Sequence, residues 1–550
     1  SSAASDVYKR QQHIDGDIFA RPIVSMNRIF SAQGYRFYQS SYDEDLEGSW
    51  LSVNYDPWGT GITYTGFCLM GLGCLLLLCA RGGDFRRLLR HPLIRKGGLF
   101  LIALFGGCQL KADPALPVVK RVQADSLAIQ QVVYNDRVAP FNTLARDFVQ
   151  KIYGRPSFHG ITPEQVVSSW MLYPEEWNRT PIIRIKNQEL RTALGLKEEY
   201  ASLNHLFDGT QYKLQPLWQR EQGNRSKLAQ AIQETDEKVG LILMLRQGTL
   251  VRPLPPDVSP LSTQKVNAEL WYNRIPFSKI LFMVNLTLGF AAFGLFMFRM
   301  LTNRKEKAVS RRVWGTALCL TTLFHATGYA LRGYIRGGFP LSNGYETMQF
   351  VALAVLLTAC LLQRRFPFTR PFGFLLSGFT LLVAYLGEMN PQITPLMPVL
   401  ASPWLSWHVS LIMISYGLFA FTFLNGILAL CLIGKQKNTA SPITGEQIEQ
   451  LTLLSRLLLY PGTFLLGTGI VLGAVWANVS WGSYWSWDPK EVWALAAFII
   501  YGISFHRKSL PYFQRPWLFH GYMIFAFAVV LMTYFGVNYL LGGMHSYANS

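Results

Sequence analysis

Long apolar runs dominate this chain, and each is close to the roughly 20 residues that a helix needs to cross a lipid bilayer. Apolar residues make up 50% of the sequence and are concentrated in these runs. Because backbone groups inside a bilayer have no water to bond with, such runs predict helices. Ten candidate spans are present: 61–80, 94–109, 277–299, 313–331, 347–363, 371–387, 408–433, 457–477, 491–506 and 517–540.

Lysine and arginine fall mostly on one side of these spans. Twenty-one of them lie in the loops 81–96, 299–312, 363–370, 434–456 and 507–515. Only three lie in the alternating short loops 332–346, 387–407, 476–491 and 541–550. Cytoplasmic loops are enriched in basic residues, so the second set is predicted to face outward. The predicted fold is mainly α: a polytopic membrane protein with about ten transmembrane helices.

Two polar stretches accompany these spans and are predicted to be outward soluble α+β segments. Residues 12–60 contain short alternating runs and are interpreted as the end of a β-rich domain. Residues 61–109 follow as two transmembrane helices around a basic inner loop. Residues 110–275 mix helical and strand-like runs and form a soluble domain, whose proline-rich end leads back to the membrane. Residues 276–550 form the main membrane domain.

The charge and the cysteines exclude some functions. The net charge of +18 follows the topology, and no basic stripe with interleaved aromatic residues lies on a soluble segment, so no nucleic-acid partner is implied. No two cysteines form a Cys-x-x-Cys pair, so neither a redox dithiol nor a zinc site is predicted. All seven lie in or at the edge of apolar spans and are interpreted as core residues: Cys68, Cys74, Cys79, Cys108, Cys319, Cys360 and Cys431.

Residues 476–493, the Trp-rich segment, carry five tryptophans on an outward loop. One or two such rings are enough to anchor a loop at a membrane surface. Trp481, Trp485 and Trp487 are separated by glycine and small serines, which suits a wide, flat apolar platform for a large planar ligand. A haem is such a ligand, and its iron also needs axial ligands.

A local structural role accounts for part of the same segment. Residues 488–491 (Asp-Pro-Lys-Glu) have the pattern of a helix start, with Asp as N-cap, Pro at the first helical position and Glu three residues after the cap. Asp488 and Glu491 are at least as well explained as caps as by ligand contacts, and both roles stay open. Capping and interface anchoring leave the rest of the tryptophan cluster unexplained.

The predicted topology divides the nine histidines by their position relative to the membrane spans. His408 and His545 fall at outward helix ends on either side of the Trp-rich segment, where neutral imidazole can supply axial ligands to haem iron. His325, His506 and His520 lie within the spans or at their inner ends, and His520 either assists His506 or bonds a neighbouring helix. The others are interpreted as surface residues: His13, His91, His159 and His205.

Residues 481–491 resemble the tryptophan-rich (WWD) signature of the haem-handling proteins of cytochrome c maturation. This group includes the system II cytochrome c synthase, as CcsA or fused CcsBA, and the CcmC and CcmF proteins of system I. Residues 277–550 are similar to CcsA, with further matching segments at 338–346 and 542–548. The resemblance thus covers the whole predicted membrane domain.

The N-terminal part resembles a second protein of the same system. Residues 16–80 are similar to the end of the ResB (CcsB) partner, through the segments 35–43 and 56–59. Both resemblances on one chain imply the fused CcsBA type. Residues 1–11 match the in-frame translation of a common transposon-based sequencing adaptor and are interpreted as a library artefact. A missing N-terminal ResB half is therefore expected upstream of residue 12.

The resemblance implies a holocytochrome c synthase-like haem lyase. Such a protein carries haem b to the outer side, holds it at the Trp-rich segment and promotes thioether attachment to an apocytochrome c with a Cys-x-x-Cys-His segment. Thiol-reducing proteins are implied as further partners. His506 matches the inner haem site of the family, and its expected partner is a histidine of the missing ResB half. The implied haem-binding residues are His408, His545, His506, Trp481, Trp485, Trp487 and Asp488, with His408 and His545 as the iron ligands.

Two other classes of function stay open. A haem-delivery chaperone or exporter without ligation activity would share every site residue. A transmembrane electron carrier with b-type haems would need histidine pairs inside the spans, for which His325, His506 and His520 are the candidates. Arg332 and Arg336 are candidates to pair with haem propionates, or with lipid headgroups.

Overall fold

The computed structural model describes most of the chain and shows it to be mainly helical. Strands occur only before residue 55 and between residues 131 and 253 of the described part. The described residues are 8–9, 13–14, 17–18, 23–24, 29–42, 49–56, 58–80, 83–89, 116–209, 211–221, 226–302, 304, 306–387, 391–394, 402–438 and 442–541.

The N-terminal part consists of short antiparallel strands. Four of them form two pairs, β1 with β4 and β2 with β3: β1 (Tyr8–Lys9), β2 (His13–Ile14), β3 (Asp17–Ile18) and β4 (Ile23–Val24). A three-stranded sheet follows in the order β5-β6-β7: β5 (Phe30–Ala32), β6 (Tyr35–Tyr42) and β7 (Ser49–Asn54). Gln33 and Gly34 turn the chain between β5 and β6, both with positive φ (51° and 84°), as two-residue hairpins require.

A long apolar helix is joined to this sheet at its first turn. The helix α1 (Gly59–Cys79) begins where Asp56 Oδ1 accepts a hydrogen bond from the Gly59 N–H (2.7 Å). Arg36 of β6 donates to the Thr60 hydroxyl (3.1 Å), so the sheet and α1 form one unit. A short helix, α2 (Asp84–Leu89), continues the chain.

Residues 116–274 fold around an apolar core of their own, in which Phe148, Trp170, Trp177 and Ile242 are almost fully buried. Its helices are α3 (Arg121–Ala128), α4 (Phe141–Tyr153), α5 (Pro163–Leu172), α6 (Pro174–Arg179), α7 (Gln188–Ala193), α8 (Gln215–Glu221), α9 (Lys227–Arg246) and α10 (Thr263–Arg274). Its strands are β8 (Gln131–Tyr134), β9 (Arg137–Pro140), β10 (Ile183–Arg184), β11 (Tyr200–Ala201), β12 (Phe207–Asp208), β13 (Gln211–Tyr212) and β14 (Arg252–Pro253). The stretch is thus an α+β domain.

The main membrane domain is an antiparallel succession of helices. They are α11 (Phe277–Leu301), α12 (Ala308–Arg336), α13 (Gly344–Leu362), α14 (Thr369–Leu386), α15 (Pro403–Asn438), α16 (Pro442–Trp481), α17 (Pro489–Ile503) and α18 (Pro516–Leu531). A π-helical stretch, Met532–Leu541, extends α18. The Trp-rich segment lies at one end of this bundle, called the Trp end, and the loops rich in lysine and arginine lie at the other, called the basic end.

Seven of the ten predicted spans coincide with helices that are long and apolar enough to cross a membrane. The predicted span 94–109 lies outside the described residues. The spans 313–331 and 491–506 are helical as α12 and α17, but neither meets the requirement. The 29-residue α12 is too polar, and α17 has only 15 residues. Within the described part, seven helices meet the requirement, and the prediction of about ten spanning helices is not confirmed.

Glycines on α16 allow α15 to approach it closely along much of its length. A Cβ at Gly462 would lie 2.7 Å from the Phe419 ring, and one at Gly469 would lie 2.7 Å from Ile412. Small residues at helix contacts are typical of membrane bundles, where close packing replaces the hydrophobic effect as the attraction between helices. The same glycine face continues to Gly473, where it meets a histidine of α15.

Candidate functional site

The structure divides the Trp-rich segment into two helix ends and a connecting loop. Because α16 ends at Trp481 and α17 begins at Pro489, the loop comprises residues 482–488. Trp476 is 2% exposed, and Trp493 packs against the core formed with α15 and α18. These two rings pack between helices. Trp485 and Trp487 are the tryptophans of the connecting loop.

Trp487 has a strained backbone and an exposed ring. Its φ is 59°, in the left-handed region that a bulky residue rarely adopts, and 73% of its surface is exposed. The ring of Trp485 meets it edge-on, with centroids 6.1 Å apart. Strain of this kind persists where the surroundings enforce it, and it is common at binding sites. Packing against the described residues therefore does not account for Trp487.

Asp488 is the N-cap of α17, as the local pattern predicts. Its side chain accepts a hydrogen bond from the Lys490 N–H (2.9 Å). Glu491 completes the capping box by accepting from the backbone N–H groups of Asp488 (3.2 Å) and Ser486 (2.9 Å). The two carboxylates thus fix the second half of the 482–488 loop to α17.

This geometry predicts different outcomes for two substitutions of Asp488. Asp488→Ala should lower stability by about 1 kcal/mol, because it removes the side-chain oxygen that caps α17. Asp488→Asn should be much milder, since Asn caps nearly as well. Thermal unfolding of the purified variants, together with their haem content, measures both effects. Equal and complete loss of haem in the two variants would show that the carboxylate itself is required and that capping is not its main role.

His408, near the start of α15, is held against the glycine face of α16. Its Nδ1–H donates to the backbone carbonyl of Gly469 (2.6 Å), and its ring lies against Gly473, where a Cβ would be 2.6 Å from Nδ1. A neutral imidazole that donates through Nδ1 carries its lone pair on Nε2. Metal-binding histidines are commonly oriented in this way by a backbone carbonyl. The ring is therefore held in the tautomer that an iron ligand at Nε2 requires.

The structure separates His408 from His506 by the depth of the bundle. His506 lies exposed in the turn that follows α17, at the basic end. The 15 residues of α17 span about 22 Å, so His506 is far from the 482–488 loop. His408 lies towards the Trp end, against Gly469 and Gly473, which are about two to three helical turns before the end of α16. His506 lies at the opposite end of the bundle.

The two histidines inside the bundle bond to neighbouring helices. His325 Nε2 lies 3.0 Å from Gln349 Oε1, and His520 Nε2 lies 2.9 Å from the Thr452 hydroxyl. Both side chains are at most 1% exposed. His520 thus makes the helix–helix hydrogen bond that was one of its two predicted roles.

Arg332 is buried in a network of internal partners, which corrects its prediction as a candidate for propionates or headgroups. Its side chain is 1% exposed and donates to Glu346 Oε1 (2.7 Å) and to the carbonyls of Pro391 (2.7 Å) and Gln392 (2.9 Å). Arg336 pairs with the other oxygen of Glu346 (2.9 Å). A buried guanidinium must be paired to offset its lost hydration, and these partners meet that need.

The segment 391–393, which bonds to Arg332, also connects residues 116–274 to the membrane helices. Arg137, after the β8–β9 turn, donates to the Ile393 carbonyl (2.9 Å), and Asn135 donates to the side chain of Gln392 (3.1 Å). Arg137 also pairs with Glu269 of α10. Residues 391–393 are therefore held between the soluble domain on one side and Arg332 on the other.

Sequence reasoning missed the contact between the N-terminal sheet and the 482–488 loop. Asn54 of β7 donates to the Gly482 carbonyl (2.8 Å), and the ring of Tyr38 of β6 lies against Gly482. Tyr484 packs edge-on against Tyr64 of α1 with a centroid distance of 5.9 Å. No local pattern connects residues more than 400 positions apart; the only signal was that both segments show resemblances to the same maturation system.

Two predicted site features are not described by the structure. His545 lies outside the described residues, and so does the side chain of Trp481. The last described element, Met532–Leu541, is tied to α17 because Lys490 Nζ donates to Asn538 Oδ1 (2.9 Å). The role of His545 as a second axial ligand stays a prediction.

The described residues contain no group of three or more His, Cys, Asp or Glu side chains that could hold a metal ion. A haem iron needs only two axial side chains, so this finding does not bear on the predicted site.

The six described cysteines are free, and Cys319 and Cys360 approach each other with sulfurs 3.9 Å apart. Cys108 lies outside the described residues.

Together these features define a polytopic membrane protein with an exposed tryptophan loop and a histidine held by the neighbouring helix. Residues 341–545 match the family described as cytochrome C assembly protein. Protein NrfI of Wolinella succinogenes is 32% identical over 611 residues, which cover 96% of this chain and 67% of NrfI. The chain belongs to the cytochrome c assembly (CcsA) family, and it is a haem-handling protein of cytochrome c maturation.

The CcsA relatives match a smaller part of the chain than NrfI does. The cytochrome c biogenesis protein CcsA of Synechococcus sp. (strain WH7803) is 33% identical over 312 residues, which cover 48% of this chain and 94% of that protein. CcsA of Prochlorococcus marinus (strain NATL2A) is 33% identical over 266 residues, covering 42% of this chain and 83% of that protein. Nearly the whole of a CcsA protein thus corresponds to about half of this chain.

Proposed function

We propose that this protein holds haem b at the Trp end, with His408 and His545 as axial ligands, and promotes its thioether attachment to an apocytochrome c. The observation that carries the proposal is the bond from His408 Nδ1–H to the Gly469 carbonyl (2.6 Å). It orients the imidazole as a ligand through Nε2. Trp485 and Trp487 supply the platform, and Asp488 fixes the loop that bears them.

The chemistry needs orientation more than a catalytic acid or base. In each attachment, an apocytochrome thiol adds across a haem vinyl group: sulfur bonds to one vinyl carbon and a proton reaches the other. The addition is redox-neutral, but both cysteines must arrive reduced, so thiol-reducing proteins are proposed as partners. The protein contributes by holding the vinyl groups and the Cys-x-x-Cys-His segment in register, which lowers the entropic barrier of the reaction.

The topology proposed here places the Trp end on the outer face of a bacterial inner membrane. The distribution of lysine and arginine supports this orientation, since the basic end carries most of them. The match to NrfI supports the fused CcsBA type, because it extends over 96% of this chain, while the CcsA matches above cover less than half. On this basis we assign the N-terminal sheet and α1 to a ResB-like part, and the ligand partner of His506 to a ResB-like helix.

Expression together with a ResB protein, which supplies the proposed partner of His506, in a bacterial strain without its own maturation system tests the proposal directly. A reporter apocytochrome c in the same strain should acquire covalently bound haem, visible by haem staining after denaturing electrophoresis. Haem bound to the protein without attachment to the reporter would support a delivery chaperone instead. Absence of haem from the purified, folded protein would contradict the proposal.

A transmembrane electron carrier is less well supported by the structure. Such a protein needs histidines inside the spans that are directed at a haem. His325 and His520 instead hydrogen-bond to Gln349 and Thr452 on adjacent helices. Redox cycling of internal b-type haems with a quinol would favour this alternative.

The two tryptophans of the 482–488 loop give a test of the platform, and the exposed Trp487 separates it from stability. Trp487→Ala and Trp485→Ala should each lower the haem content of the purified protein several-fold, because they remove the apolar faces on which we place the ring. Trp487 is exposed, so its loss should leave thermal unfolding nearly unchanged. Trp517→Ala, at an exposed tryptophan (52%) of the basic end, is the matched control and should keep its haem. Equal haem content in all three variants would contradict the platform.

A further inference from the structure

We infer that the N-terminal hairpin, β6 with β7, belongs to the haem site, and that Tyr38 and Asn54 are positioning residues for the 482–488 loop. The inference rests on the proposed function, because it concerns how the haem-binding loop obtains its shape. Neither residue needs to touch haem. Each acts through Gly482, the first residue of the loop.

Asn54 bonds to the first residue after α16. A carbonyl outside the helical hydrogen bonds must find its own donor. Gly482 follows the last residue of α16 with a φ of 79°, the left-handed conformation common at helix ends. Its N–H donates back to the Asn478 carbonyl (3.1 Å), and its own carbonyl accepts from Asn54 Nδ2 (2.8 Å). The amide of Asn54 therefore fixes the direction in which the chain leaves the helix.

The ring of Tyr38 limits which residue can occupy position 482. The side chain is 1% exposed, and a Cβ at Gly482 would lie 2.7 Å from its Cε2 atom. No residue with a side chain fits there while the ring stays in place. The Tyr38 hydroxyl has no hydrogen-bond partner among the described residues, and burial raises its pKa, so it is neutral. The shape of the ring, and not its hydroxyl, makes the contact.

The helix α1 supports the loop at a second point. Tyr484 packs edge-on against Tyr64 and Phe67, with centroid distances of 5.9 Å and 6.1 Å. Since Arg36 bonds to Thr60, the hairpin and α1 act on the loop as one body. The first half of the loop is thus held by the N-terminal part of the chain.

The partly buried Trp485 and the exposed Trp487 lie between this support and the capping box of α17. Glu491 holds Ser486 and Asp488, while the N-terminal part holds Gly482 and Tyr484. Trp485 and Trp487 cannot move far without breaking one of the two attachments. This arrangement explains how the strained φ of Trp487 is maintained while its ring remains exposed.

The test compares haem binding in five variants of the full chain. Tyr38→Ala removes the ring, and Asn54→Asp replaces the donor by a carboxylate that cannot donate to the Gly482 carbonyl. Both should lower haem content about five- to tenfold, the size expected for one lost contact of this kind. The remaining haem should show a mixed-spin visible spectrum in place of the low-spin one. Tyr38→Phe should keep both haem and spectrum, because the hydroxyl bonds to none of the described residues.

Tyr35→Ala is the matched control on the same strand. Its ring is 45% exposed and packs on Tyr55, away from the loop, so it should behave as the parent. If Tyr38→Ala fails to accumulate in the membrane, Asn54→Asp decides the outcome, since it changes only one functional group. Loss of haem in Tyr38→Phe would overturn the argument from ring shape.

A His408→Gly variant separates this inference from the proposed function. If His408→Gly loses haem while Tyr38→Ala and Asn54→Asp keep the parent content and spectrum, the loop holds its own shape and the hairpin plays no part. If His408→Gly also keeps its haem, the haem site itself is elsewhere and the proposed function fails. Loss of haem in His408→Gly, Tyr38→Ala and Asn54→Asp, with the two control variants unchanged, supports the proposed function and the role of the hairpin.

Discussion

Replacing His408 by Gly should abolish maturation of a reporter cytochrome c, and added imidazole should restore part of it. The substitution removes an axial ligand and leaves a space of imidazole size against Gly473. A free imidazole can enter that space and bind the iron through one nitrogen. Covalent haem on the reporter, together with the visible spectrum of the purified protein with and without imidazole, measures both effects.

His159→Gly is the matched control for this experiment. His159 is an exposed residue of the soluble domain with a φ of 45°, a conformation that glycine adopts easily. It should leave maturation unchanged. A histidine that only supports the fold would not be replaced by a small free ligand, so failure of imidazole to restore any activity to His408→Gly would contradict the ligand role.

A single methyl group at Gly473 should damage the site almost as severely. In Gly473→Ala, the new Cβ would lie 2.6 Å from Nδ1 and Cε1 of His408, so the ring must move and its bond to the Gly469 carbonyl breaks. Overpacking of this kind costs about 1–3 kcal/mol, which corresponds to a roughly fivefold to 150-fold loss of haem affinity. The haem content of the purified variant measures it. Added imidazole should not help, because the displaced side chain still fills the space.

Two further variants make this prediction specific. Gly434→Ala is the control: it lies on α15, and a Cβ there meets no other atom within 4 Å. The double variant His408→Gly/Gly473→Ala should respond to imidazole better than Gly473→Ala alone, because the methyl no longer meets a ring. Additive losses in the double variant would show that Gly473 acts independently of His408 and would contradict the proposed contact.

The positions of most helices could be predicted because their signal is local. An apolar run of bilayer length becomes a helix whatever its neighbours are, and seven predicted spans coincide with such helices. The start of α17 was predictable for the same reason, since Asp488 and Glu491 act within one helical turn. The helices at 313–331 and 491–506 do not meet the requirements of hydropathy and length for crossing a membrane. They can still pack in the bundle, because neighbouring helices cover a polar or a short helix.

Other features depended on partners that are distant in sequence. Arg332 was a candidate for external anions, yet its guanidinium bonds to Glu346 and to carbonyls about 60 residues away. Nothing in the local sequence shows whether an arginine at a helix end meets solvent or a buried carboxylate. Arg137, within residues 116–274, donates to the Ile393 carbonyl of the same segment. This contact could not be predicted either.

The sequence by itself determined which segments form helices, where α17 starts, and which residue types gather near the Trp end. These properties follow from apolar length, capping chemistry and charge bias, all of which act over a few residues or across the membrane. The tertiary structure alone decided that His408 bonds to Gly469, that Trp487 is exposed while Trp476 is buried, and that Asn54 reaches Gly482. The physical reason is that each of these contacts joins surfaces from separate elements, and their fit depends on packing that no short stretch of sequence encodes.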